Sequence, residues 1–202
     1  MTGNFEYFVF SVFKTDSLLL QDIKKRIADL YQESFALGKA VFISDAFSIT
    51  RYYNPSVSGS KDDIFTFWKI IDCKDFTFFV SNSADGRYTL CNWLSKKISC
   101  DYLMCTMTSN DAKYVYQMNS FNYVKQGDLN TERCVLAYKD PKWTFFEKGE
   151  PASFENPRYY QNKYIKDRLN LDILKEYLSN YGIEFDKMGL NIQEYFTIRK
   201  TL

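Results

Sequence analysis

What most limits the fold open to this chain is that its strand-forming segments follow one another directly, while helical periodicity appears only early, midway and late. Runs rich in aromatic and β-branched residues occupy 5–13, 40–50, 64–71, 76–80, 102–108, 114–118, 134–138 and 143–146. Clusters of Gly, Pro, Asn, Asp and Ser separate them, the usual punctuation between strands. The regular strand–helix alternation of a doubly wound sheet is missing. The pattern predicts an α+β fold, a mainly antiparallel sheet of six or more strands with about three helices packed on it. No repeat or linker interrupts the 202 residues, so one domain over 1–202 is expected.

Three segments carry helical spacing. In the first, Leu19, Ile23, Ile27, Leu30 and Tyr31 recur on one face, Thr15 or Asp16 offers an N-cap, and Gly38 offers a left-handed stop. The second follows the polar turn 81–86 and aligns Leu90, Leu94 and Ile98. The third covers 171–181, with Leu174, Tyr177, Leu178 and Tyr181 as its apolar stripe, Asn170 as cap and Gly182 as stop. Residues 39–80 read as an antiparallel meander, and the stretch after Gly182 is open between strand and loop.

The chemistry available is narrow. There is no histidine, which removes the commonest general base and metal ligand and every Ser-His or Cys-His nucleophile pair. The five cysteines form no CxxC pair and read as reduced, buried thiols. Neither a GxxxxGK[ST] nor a GxGxxG pattern follows a strand, so no cofactor and no metal is expected. Carboxylate pairs such as Asp62/Asp63 or Asp85/Asp101 keep a histidine-independent enzyme open as an alternative. The net charge of +1 gives no field toward nucleic acid or an anionic membrane. The longest apolar runs fall far short of the roughly 20 residues that span a bilayer. The first residues lack a basic flank followed by an apolar stretch, so a cytoplasmic location is the expectation.

One stretch stands out locally. Residues 156–170 carry a net charge of +3 interleaved with three tyrosines. Tyr and Arg are enriched at binding hot spots, which makes Arg158, Tyr159, Tyr160, Lys163, Tyr164 and Arg168 the candidate partner-binding residues, with a protein as the partner. The same composition suits a solvated structural segment, or less readily single-stranded nucleic acid. Trp143 and Phe154 are expected in the core, and Glu155 is expected to pair with Arg158 or Arg168.

Further residues carry a resemblance. The turn before Asp85-Gly86, the run Trp93-Leu94-Ser95-Lys96-Lys97, Glu132-Arg133-Cys134, Trp143, the run from Gly149 to Glu155, Tyr159-Tyr160 and Asp167-Arg168 make residues 80–182 similar to bacterial immunity proteins of polymorphic toxin systems. The resemblance implies a non-enzymatic bacterial protein that neutralises a cognate toxin by binding it. A structural or regulatory protein of a phage or mobile element is the alternative among binding proteins.

Overall fold

The computed structural model describes residues 5–16, 18–33, 39–55, 63–110, 112 and 116–201. Its strands are β1 (Tyr7–Lys14), β2 (Lys39–Ile43), β3 (Asp63–Ile70), β4 (Phe76–Ser81), β5 (Asp101–Thr108), β6 (Met118–Val124), β7 (Arg133–Lys139), β8 (Trp143–Lys148) and β9 (Ile192–Thr201). They form one sheet in the order β2-β9-β3-β4-β1-β5-β6-β7-β8, every neighbouring pair antiparallel. Helices α1 (Leu20–Glu33), α2 (Tyr88–Ile98) and α3 (Leu171–Tyr181) complete the α+β architecture. Among the described residues no helix is long and apolar enough to cross a membrane.

The sheet is the middle of three layers. β1 lies at its centre, and its unbroken aromatic run is explained by burial on both faces. Phe8, Phe10 and Val12 point to one core, Val9 and Phe13 to the other. Each such side chain contributes about 1.5–3 kcal/mol through area removed from water. On one face α1 brings Leu20, Ile23, Ile27 and Tyr31, and α2 brings Leu90, Cys91 and Leu94, into a cluster with Phe65, Phe67, Phe79, Tyr102, Met104 and Phe196. On the other face α3 sets Ile173, Leu174, Tyr177 and Leu178 into a cluster with Phe8, Leu103, Phe121 and Phe154. The Phe121 and Tyr177 rings meet edge to face, with centroids 5.9 Å apart.

Local signals placed α3 to the residue. The Asn170 side chain accepts the Ile173 N–H, and Gly182 takes φ +99°, where its N–H reaches the last turn. Long-range pairing overrules the sequence reading elsewhere. Residues 39–80 are not a meander, because β9 lies between β2 and β3 and hydrogen-bonds to both. The run 40–50 is a strand only to Ile43. It then becomes a short 3-10 turn, Ile49–Tyr52, that drops the Tyr52 hydroxyl onto Thr66 at 2.5 Å. β6 begins at Met118, later than the run 114–118, of which residues 114 and 115 lie outside the described residues. Thr15 and Asp16 do not cap α1. Both of their N–H groups donate to the Asp75 carbonyl, at 2.7 and 3.0 Å, and the helix starts at Leu20. Gly38, the expected stop, lies outside the described residues.

Candidate functional site

The six residues singled out in the basic segment do not share one surface. Two 3-10 turns, Pro157–Gln161 and Ile165–Asp167, lay this segment across β7 and β8 on the α3 side of the sheet. Arg158, Lys163 and Tyr164 are exposed, with the Lys163 ammonium 5.6 Å from the Tyr164 ring centre. Tyr159 is half-buried on Tyr177 and donates to Glu176 at 2.8 Å. Arg168 is half-buried, donates from Nε to the Asn162 carbonyl at 2.9 Å and lies over the Phe145 ring. Tyr160 is only 3% exposed, packed on Phe145, so it belongs to the core. Tyr160 therefore has no surface to offer a partner, and Tyr159 and Arg168 fix the segment to the sheet.

What holds Tyr160 is a buried ion pair that the sequence did not reveal. Arg133 of β7 is 2% exposed and faces Glu155, whose side chain is fully buried. The guanidinium donates from Nε at 3.1 and 3.2 Å and from a terminal nitrogen at 2.9 Å. Glu155 also accepts the Ala152 N–H and the Tyr160 O–H, each at 2.7 Å. Arg133 further reaches Glu147 at 2.8 Å and the Gly149 carbonyl at 2.8 Å. Burial alone disfavours charge on Arg133, and its hydrogen bonds to Glu155 and Glu147 outweigh that, holding the guanidinium charged above its ordinary pKa. Burial raises the Tyr160 phenol, and contacts with Tyr177 and Glu155 raise it further, so it stays a donor. Gly149, at φ +86°, lets the turn pass against β7; a Cβ there would sit 2.4 Å from the Glu132 carbonyl. Glu155 thus pairs with Arg133 rather than with Arg158 or Arg168. This is a structural clamp with every polar group satisfied.

The carboxylates weighed for catalysis are likewise occupied. Asp63 pairs with Arg87. Asp85 accepts the Arg87 N–H and the Ser83 hydroxyl at the approach to α2. Asp101 accepts from the Tyr123 hydroxyl and the Gln126 N–H. Asp62 lies outside the described residues. Burial pushes the Cys91 and Cys100 thiols up to about 12 and Cys73 up to about 11, far from the range of a nucleophile. Among the described residues no group of three or more Cys, Asp or Glu side chains is placed to hold a metal.

Among the described residues one broad surface is left without a layer over it. Among the described residues, α1 and α2 pack over the sheet as far as β5 and Val124, and no helix covers β6, β7 and β8 beyond that on the same face. Cross-strand pairing sets Ser120, Leu136 and Phe146 in one row and Met118, Tyr138 and Thr144 in the next. Phe146 is 47% exposed and Tyr116, whose ring lies 5.8 Å from Tyr138, is 44% exposed. β8 is the last strand of the sheet, so its outer backbone groups have no ladder partner among the described residues. The sequence signal for this surface was alternation in β7 and β8, with Leu136, Tyr138 and Phe146 out of phase with Val135, Ala137 and Phe145. Comparison with models of known protein families, with curated proteins and with solved structures finds no match for this chain.

Proposed function

We infer that this chain is a non-enzymatic protein-binding module that captures its partner on the bare face and free edge of β6–β8. The observation that carries the reading is the aromatic and aliphatic surface of Phe146, Leu136, Tyr138 and Tyr116, on a face of the sheet that no helix covers among the described residues. Aromatic anchors on a rigid sheet suit a protein interface, and an unpaired edge strand adds backbone hydrogen bonds to it. The partner fitting this surface is a protein presenting an extended segment with apolar side chains toward Phe146. The resemblance to immunity proteins makes that partner a toxin, blocked by occupation rather than by chemistry. A second copy of the chain fits the same apolar surface and is the competing occupant, as in a structural component that self-assembles.

A photoreactive phenylalanine analogue at position 146, with the same analogue at Lys25 of α1 as control, separates these. One heterologous adduct specific to position 146 is expected. The purified partner should slow backbone hydrogen exchange in β7 and β8, and this chain should suppress the partner's toxicity. An adduct of twice the chain mass transfers the surface to self-assembly. No adduct, or equal adducts from both positions, overturns the reading.

A further inference from the structure

A second concave site lies on the opposite face of the same strands and does not depend on the docking surface. We propose that it binds a small phosphorylated sugar, either free or as the sugar phosphate of a nucleotide.

The cleft encloses about 520 Å³ and is walled by Gln117, Asn119, Lys139, Trp143, Lys166 and Asp167, with Asn170 at the start of α3 closing one side. That size falls within the roughly 300–1,000 Å³ typical of small-ligand sites. Its floor follows from strand register. Lys139 and Trp143 are direct cross-strand neighbours on β7 and β8, and the Lys139 N–H donates to the Gln117 carbonyl at 3.0 Å. The opposite wall is the turn Ile165–Asp167. It is held in place by the Asn162 amide on the Asp167 carbonyl at 2.7 Å and by Arg168 on the Asn162 carbonyl.

Several donors along this cleft have no bonded acceptor among the described residues. Asn119 is 5% exposed. Its Oδ1 accepts the Thr108 N–H at 3.1 Å, which leaves its amide NH₂ without an acceptor among the described residues. The ammonium groups of Lys139 and Lys166 form no ion pair among the described residues, and Asn170 spends only its oxygen on the α3 cap. Asp167 is the one carboxylate in the lining. Two cations and several amide donors call for an oxygen-rich anion. Trp143 supplies an apolar wall for a ring, and Asp167 accepts from hydroxyls. A phosphate between the lysines with a hydroxylated ring against Trp143 satisfies all of these groups together.

The test is titration of the whole chain with glucose 6-phosphate, AMP, glucose, adenosine and inorganic phosphate at constant ionic strength, read by calorimetry and by tryptophan fluorescence. The variants are Lys139→Ala, Lys166→Ala and, as a distant control, Lys97→Ala. All three side chains are exposed, so the fold is retained, and circular dichroism checks it. Saturable binding of glucose 6-phosphate or AMP is expected, weakened about tenfold or more by either cleft variant and unchanged by Lys97→Ala. Whichever of the two binds more tightly identifies the source of the sugar phosphate. Equal binding of glucose and adenosine, inorganic phosphate as tight as either ester, indifference to both lysine variants, or no binding at all overturns the proposal.

Discussion

Replacing Glu155 by glutamine tests whether the clamp beneath the basic segment is as tightly balanced as its geometry implies. Glu155 accepts from Arg133, Ala152 and Tyr160 with nothing but donors around it. A glutamine in the same rotamer points its NH₂ at a donor whichever way the amide is turned. It also leaves the Arg133 charge, 2% exposed, with only Glu147, whose side chain is 42% exposed, as a counter-ion. Breaking one side of a buried pair costs about 3–5 kcal/mol. For a chain of this size each kcal/mol moves the melting temperature by about 2–4 °C, so Glu155→Gln should melt roughly 6–20 °C lower. Urea unfolding followed by tryptophan fluorescence gives the free energy directly. The double variant Arg133→Met/Glu155→Leu removes both charges at once and should recover most of the loss, with a coupling of about 2 kcal/mol or more. A loss below about 1 kcal/mol in Glu155→Gln, or additive single variants, would refute the reasoning.

Two further outcomes follow from groups elsewhere in the fold. The Tyr88 hydroxyl bond lowers the Glu132 carboxyl below the ordinary glutamate range, against the opposing effect of partial burial and with help from Lys148. Its folded pKa is depressed, so the stabilisation is complete above the unfolded value and fades as pH falls through the folded one. Wild type should therefore exceed Glu132→Gln in urea midpoint at pH 7, and the gap should close as pH drops below about 4.5. A gap constant down to pH 3 contradicts the assignment. For the thiols, a disulfide reagent at pH 8 should leave Cys91, Cys100 and Cys105 unmodified in the native chain and reach all five in urea, as mass spectrometry of labelled peptides will show. Rapid native labelling of Cys91 would contradict its burial.

The contrast between α3 and β9 shows which parts of this fold a sequence can disclose. α3 announces itself within thirteen residues, because Asn170, the apolar stripe and Gly182 act on their own neighbours. β9 alternates imperfectly and takes its position from strands more than 120 residues away, as Phe65↔Ile198 pairing illustrates. β6 was displaced because Asn119, Ser120 and Asn122 break the aromatic and β-branched run that marks a strand, whereas Asn119 is buried and bonded to Thr108. In the basic segment, composition identified residues fit for binding. It did not reveal that a lone arginine in β7 draws Glu155 inward and Tyr160 with it. The cleft and the bare face were hidden for a related reason: their walls come from residues separated by tens of positions, and only the register of β6, β7 and β8 brings them together.

The placement of β9 also bears on how the chain is made. Among the described residues β2 has no neighbour in the sheet except β9, and the outer side of β3 is likewise closed by β9. During vectorial synthesis the first eight strands emerge before their keystone. Until residues 192–201 clear the ribosome, β3 presents an open edge beside Phe65 and Phe67, and β2 has nothing to join. Such an edge is a template for wrong pairing, and closing it over so long a loop is slow. A nascent chain stalled shortly before Ile192 should therefore be a strong client for chaperones.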